Sequence, residues 1–325
     1  MEVYRTKDGQ VSKYVHDDGS ETAIKTISSC DNSFGVSSDK VRQKYSVFIS
    51  ISVGCKVKCG FCYLTSKNYP YHELSNAQVL QNVLMAIEEE VKHNPDLKDK
   101  YIKLGFMGMG DAFPYSAIVY NLTFSILDYV MKKGYAKGLD GVDLATSYPS
   151  RKNFKSMYGG YMPIQTYPLL NARLKDYPYN PNHSSDRSRF RLFYSLHSVK
   201  QDVRSKLIPK SENMHNAIDD LQTLNKLGGI DLIYHYMFLN GVNDSDEDVN
   251  VLIDFMNGSL GENAELRILR YNECEKSIYQ ESVMFTPIVK KLSINVNKLK
   301  YQISTGSAVK AACGMFLMKK LKDNK

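Results

Sequence analysis

Cys55, Cys59 and Cys62 stand in a C-x3-C-x2-C array, inside the stretch Gly54-Cys55-Lys56-Val57-Lys58-Cys59-Gly60-Phe61-Cys62-Tyr63. Half of the six cysteines of the chain fall within the eight positions 55–62. Thiolates this close either chelate a metal or sit on a redox loop. Three of them hold three irons of a four-iron cluster and leave the fourth iron open to a ligand that is not protein. A closed zinc site asks for four ligands. No further Cys or His follows at short spacing, His72 lying ten residues on. Three unrelated buried thiols are the plain alternative, and the tight spacing speaks against it.

Other residue types that can do chemistry recur at one kind of place. Gly108-Met109-Gly110-Asp111 follows an apolar run, and its glycines let backbone approach a ligand. Thr146-Ser147, Ser195-Leu196-His197 and Asn240-Gly241-Val242-Asn243-Asp244 each close a similar run. Taken singly, a glycine turn or a lone histidine is more often structural than functional. Cys313, in Ala311-Ala312-Cys313-Gly314, reads by itself as a small core residue.

The elements that must carry these residues follow from periodicity. Residues 45–53, 101–107, 142–145, 190–196, 231–239, 266–271 and 301–304 are short β-rich runs. Between them lie helical patterns. Ser75-Asn76-Ala77-Gln78 is a capping box that opens a helix with Val79, Val83, Ala86, Ile87 and Val91 on one stripe. Ser116 to Lys133 is a helix closed by Gly134, and Met214 to Leu227 is stopped by Gly228-Gly229. Asp244 is placed to cap a helix to Asn257, and a last helix is expected from Ala308 to Lys322. Residues 148–188 read as a long irregular connection. Such alternation argues for parallel strands with right-handed crossovers. The count falls short of eight, so the fold expected is α/β, an open or partial barrel with its chemistry beyond the C-terminal strand ends. Every polar motif named above lies at such an end. Residues 1–44 form a short N-terminal β extension, with strands near Val11–His16 and Thr22–Ile27 around an Asp17-Asp18-Gly19 turn. Residues 45–325 form the core.

Composition bounds the partners. The chain has 325 residues, 43% of them hydrophobic and 24% charged, as in ordinary globular proteins. No apolar run reaches a membrane-spanning length, and the first residues lack the apolar stretch of a secretory signal. A cytoplasmic location without membrane attachment is therefore expected, with reduced thiols. Net charge is +7, compatible with a polyanion, though a lysine-rich surface explains it equally well.

The cysteine loop, with Phe61 before the last Cys, resembles that of the radical S-adenosylmethionine (SAM) enzymes. The run from Ser195 to Pro209, S-L-H-x4-D-x-R-x2-L-I-P, resembles the signature of their RlmN/Cfr family, which methylates carbon atoms of adenine in RNA. Asn240-Gly241-Val242-Asn243-Asp244, Leu266 to Asn272 and Ala311-Ala312-Cys313-Gly314 resemble further family segments in the right order. The resemblance implies a partial (β/α)6 radical SAM barrel, with a [4Fe-4S] cluster on Cys55, Cys59 and Cys62. It implies SAM held by Gly110, Asp111, Thr146, Ser147, Ser195, Leu196, His197 and Asn243. It also implies Cys313 as methyl carrier, Glu21 as proton acceptor, a monomer, structured RNA (ribosomal or transfer) as substrate, and an electron donor such as flavodoxin or ferredoxin. The family mechanism loads a methyl group on the carrier thiol from one SAM. A radical from a second SAM takes a hydrogen from that methyl group, and the resulting carbon adds to the base.

Two departures stand out. The family's resolving cysteine lies seven residues before the first cluster Cys, where this chain has Phe48. The family's helical RNA-gripping domain has no counterpart in the 44 residues before the core. A divergent enzyme acting on another RNA, a nucleotide or a protein is the alternative, and a non-catalytic iron–sulfur or RNA-binding protein is a third. Cys274 and Cys30 are the thiols left to substitute at Phe48.

Overall fold

The alternation that begins at Tyr45 folds as one curved sheet with helices on its outer face. The computed structural model describes residues 1–26, 30–31, 43–154, 163–182, 187–261, 263–273, 277–302, 307–310 and 315–316, with the backbone alone at 30–31, 154 and 308. Its strands are β1 Glu2–Arg5, β2 Val11–Val15, β3 Glu21–Lys25, β4 Cys30–Asp31, β5 Lys44–Phe48, β6 Ser52–Val53, β7 His72–Glu73, β8 Tyr101–Phe106, β9 Gly138–Thr146, β10 Phe190–Ser195, β11 Asp231–Tyr236, β12 Glu265–Leu269 and β13 Lys298–Gln302. Its α-helices are α1 Tyr63–Ser66, α2 Asn76–His93, α3 Ser116–Lys133, α4 Arg151–Phe154, α5 Pro163–Arg173, α6 Gln201–Leu207, α7 Met214–Gly228, α8 Asp246–Asp254 and α9 Phe285–Asn295.

Among the described residues the sheet has eleven strands in the order β1-β2-β3-β5-β8-β9-β10-β11-β12-β13-β4. From β5 to β13 every neighbouring pair is parallel. The partial barrel expected from the sequence is the architecture found, with β13 as one parallel strand beyond six and, among the described residues, no closure of the sheet into a ring. The N-terminal strands extend the same sheet, β3 pairing antiparallel with β5. β4 follows β3 after only residues 26–29, yet it pairs with β13 at the opposite end of the parallel run.

Local chemistry explains the helices. Ser75 caps α2 in a reciprocal box with Gln78, and Val79, Val83, Ala86, Ile87 and Val91 are its buried face. Gly134 and Gly229 end α3 and α7 with φ of +64° and +55°, a conformation glycine adopts without a Cβ penalty. The start of α8 differs from expectation: Ser245, not Asp244, is the cap, because its hydroxyl accepts from Asp248 N while Asp248 returns the bond. Residues 148–188 are also less irregular than expected. They carry α5, which tolerates Pro168 in its interior because Tyr167 and Leu170 are buried in the main core. Most of the helix expected over 308–322 lies outside the described residues.

Beneath the strand ends the core is charged. Asp143 takes Lys103 Nζ at 2.5 Å and Arg191 Nε at 2.6 Å. Glu265 takes Arg267 at 2.6 Å, Lys300 at 3.1 Å and Arg187. Buried charges persist only when paired in this way. No helix among the described residues is long and apolar enough to cross a membrane.

Candidate active site at the strand ends

The polar residues singled out at successive strand ends are stitched to one another. Asp111, beyond β8, accepts from Ser147 N and Oγ at 2.8 Å each, from Thr146 Oγ1 at 3.2 Å and from Phe113 N at 3.2 Å. That joins the ends of β8 and β9. Arg204, wholly buried on α6, donates from Nη2 to Ser147 O at 3.0 Å and to Ser195 O at 3.1 Å, joining β9 to β10. Asn243, also wholly buried, donates from Nδ2 to His197 O at 2.6 Å and Met237 O at 2.9 Å, and accepts from Leu239 N at 2.7 Å. That joins the end of β10 to the chain beyond β11. Leu196 N donates to His235 O at 3.0 Å across the same pair. Asp111 and Asn243 thus direct their side chains to the protein itself, and what they hold in place is the rim.

The glycines of the rim permit close approach. A Cβ on Gly108 would lie 2.5 Å from Ser50 Oγ and 2.7 Å from Ile49 O. Gly110 has φ +89°, and a Cβ there would lie 2.4 Å from Ser52 Oγ. Ser50 Oγ accepts from Met109 N at 3.0 Å, so the Gly-Met-Gly segment lies against the chain leaving β5.

The cysteine loop arches over this rim. Gly60 N donates to Leu207 O at 2.8 Å, Tyr271 Oη to Phe61 O at 3.2 Å and Lys210 Nζ to Lys56 O at 3.1 Å. Phe61 meets the His197 ring edge-on, with centroids 4.9 Å apart. Burial, then the neighbouring Cys62, and Asp111 push the Cys55 thiol up to about 12. Burial, then Cys55 and Cys62, push Cys59 well above the ordinary range. Thiols pressed together like this ionise when a cation offsets their charge. His197 is pulled down to about 3 by burial and by Arg204, so it lines the site as a neutral ring. Its backbone is left-handed, φ +52°, where a non-glycine residue is strained.

Below the loop opens a pocket. Cys62, Phe61, Gly108, Ser195, His197, Met237 and Tyr271 line it. Phe48, Ala145, His235 and Leu269 line it from the strands, together with Lys13, Glu21, Lys25, Met315 and Phe316. Glu21, 3% exposed, is paired with Lys13 Nζ at 2.5 Å. Phe48 packs on Gly105, where a Cβ would stand 3.3 Å from its ring. Cys313 and Cys274 lie outside the described residues, as does the side chain of Cys30.

The structure therefore brings Gly110, Asp111, Thr146, Ser147, Ser195, Leu196, His197 and Asn243 to one rim beside Cys55, Cys59 and Cys62. Lys13 and His235 escaped the sequence reading. For Lys13 a signal existed: it alternates with Val11 and Val15, both 2% exposed, and so shares their inward face.

The comparisons with known proteins accord with this arrangement. No protein-family model matches the sequence. The chain is 23% identical over 285 residues to the dual-specificity RNA methyltransferase RlmN of Wolinella succinogenes, covering 86% of this chain and 69% of that one. It is 23% identical over 275 residues to the protein of the same description from Campylobacter lari, covering 83% and 67%. The fold matches a crystal structure of a radical SAM methyltransferase from Sphaerobacter thermophilus with a TM-score of 0.67 at 19% identity, over 97% of this chain and 80% of that one. The chain is thus similar in sequence to RlmN methyltransferases and shares the fold of a radical SAM methyltransferase. A second radical SAM fold, native anSMEcpe with bound AdoMet, superposes with a TM-score of 0.50 at 12% identity, over 78% of this chain and 62% of that one.

Radical SAM enzymes carry a [4Fe-4S] cluster and SAM, and the residues here fit both. Among the described residues no three Cys, His, Asp or Glu converge on a single metal position. A cluster does not ask for that, since each thiolate takes its own iron. Cys55, Cys59 and Cys62 would hold three irons, and the Gly108–Asp111 segment and the rim around Ser195 and His197 would receive SAM.

Proposed function

We propose that this enzyme methylates a carbon atom of adenine in RNA, ribosomal or transfer, through an S-methylcysteine on Cys313. The observation that carries the proposal is the composition of one pocket. Its wall combines Cys62 of the cluster loop, Glu21, and Met315 and Phe316, which follow Cys313 by two and three residues. A carrier thiol must reach both the cluster side and the base, and this wall supports that role. Apolar and aromatic side chains (Phe48, Phe61, Met237, Leu269) supply the surface a flat base needs.

The cluster and SAM, when bound, supply the one-electron chemistry and the methyl group. The chain's own residues do the rest. Cys313 holds the methyl carbon as a thioether, still bonded to it after that carbon joins the ring, and a second thiol, Cys274 or Cys30, frees the base by forming a disulfide with Cys313 as the carbon–sulfur bond breaks. Glu21 takes up the proton that the substituted carbon loses. The neutral His197 and the apolar walls keep water from the reacting carbon. The enzyme works in the cytoplasm as a monomer, with a flavodoxin or ferredoxin as reductant.

Phe48 supports a second reading. It lies in the pocket where the related enzymes' resolving thiol is expected, and it has neither a proton nor a sulfur to offer. A divergent substrate released by another route accords with that. One set of measurements separates the readings. Anaerobically reconstituted protein should show the four-iron absorption band and lose it in Cys59→Ala. Labelled methyl from SAM should appear on Cys313, and RNA from cells with and without the protein should differ by a methylated adenine. Label on Cys313 without a change in RNA leaves the second reading. No label on Cys313 ends the carrier assignment.

A further inference from the structure

Lys13 lies in the pocket wall, and the reaction outlined above gives it no task. Its ammonium group carries three N–H donors. Glu21 Oε2 lies 2.5 Å away, Lys310 O 2.9 Å and Met315 O 3.2 Å. The ammonium group thus makes one ion pair and two hydrogen bonds to backbone carbonyls. The side chains of Lys13 and Glu21 are 4% and 1% exposed, so the group is sealed from water. The Phe316 ring stands 5.1 Å from the same nitrogen.

The two carbonyls are not neighbours in sequence. They flank the residues 311–314, among them Cys313. The flanks are fastened on their other side too. Lys310 Nζ donates to Tyr63 Oη at 3.0 Å, and Phe316 packs with Tyr63, Leu64 and Met109 beside Cys55 and Cys62. One cation from the N-terminal hairpin therefore meets both Lys310 and Met315, while Lys310 and Phe316 separately meet Tyr63, the residue after the last cluster cysteine.

We infer that Lys13 is a positioning residue for the C-terminal wall of the pocket, docking Lys310 and Met315, which flank residues 311–314 in sequence. The chemical purpose rests on Cys313 being the carrier; the docking itself does not. Glu21 fixes Lys13 in this geometry, so the proton acceptor and the carrier segment share one cation.

The test uses Lys13→Met in the reconstituted enzyme. Amide hydrogen exchange in the peptide covering 307–316 should rise roughly tenfold or more, the scale of losing one charged hydrogen bond in a buried site. Transfer of labelled methyl to Cys313 should fall by a similar factor, with the four-iron band unchanged. Lys13→Arg, which keeps charge and donors, should recover part of both. If Lys13→Met does not fold, the double variant Lys13→Met/Glu21→Gln carries the exchange measurement, since it buries no unpaired charge. Unchanged exchange in a folded variant overturns the inference even where the wild type methylates Cys313. Raised exchange in a protein that never methylates Cys313 keeps the docking and removes the carrier assignment.

Discussion

Arg204 reaches the carbonyl of Ser147 at 3.0 Å with the same nitrogen that reaches Ser195 at 3.1 Å, so one buried guanidinium closes the seam between two parallel strand ends. Arg204 meets Ser211 Oγ with its other nitrogen, Nη1, and lysine, with one nitrogen, lacks the fork that serves the carbonyls and Ser211 together. Arg204→Lys should lose about 3 kcal/mol of stability, the cost of disrupting a buried charged network. Denaturant titration measures it. A loss within error of zero would mean that the seam is held elsewhere.

Asp111 accepts from two donors of Ser147 and one of Thr146. Burial raises its carboxyl above the ordinary range, against the pull of these bonds. Asp111→Asn turns one acceptor oxygen into a donor facing donors. SAM affinity of the reconstituted protein should drop about tenfold, equivalent to roughly 1.4 kcal/mol, as read by equilibrium dialysis. Unaltered affinity would detach the Asp111–Ser147 link from SAM binding.

Gly110 is constrained twice, by φ +89° and by Ser52 Oγ, which lies 2.4 Å from where a Cβ would stand. Gly110→Ala should cost about 1–3 kcal/mol for the backbone alone, and more for the clash. Adding Ser52→Ala should recover only the clash. Full recovery in the double variant would show that the conformation carries no strain.

The paired carboxylate beneath the pocket sets a pH dependence. Burial alone would raise Glu265, but Arg267, Lys300 and Arg187 outweigh it and hold it at about 2, below its ordinary 4.5. Stability from these ion pairs is therefore complete above about pH 4.5 and is lost as pH falls toward 2. Glu265→Gln should be less stable than wild type by about 3 kcal/mol at pH 7, at 1.36 kcal/mol per pH unit. The gap should narrow between pH 4.5 and 2. A gap that ignores pH would refute the assignment.

Much of the site was legible because its signals are local. The cysteine spacing, the glycines before Asp111 and the polar residues closing each apolar run are read within a few positions. What they touch is not local. Lys13 meets carbonyls 297 and 302 residues away, and no periodicity announces such a partner. Arg204 lay inside a recognised motif, yet its role depends on two strand ends brought together only by the sheet. Asp244 and Ser245 are both good caps, and the register of α8 decides between them. The α5 segment was masked by its own composition, because Pro168, tyrosines and asparagines read as loop until burial of Tyr167 outweighs propensity.

The short passage from β3 to β4 has a consequence for the girth of the barrel. Lys25 pairs with Ser46 on the first parallel strand and Cys30 with Gln302 on the last. Five residue steps span at most about 17 Å. Peptide length alone thus caps how far the two margins of the parallel run can part at that level. Residues inserted between Lys25 and Cys30 would loosen the circumference, and with it the diameter of whatever the interior admits.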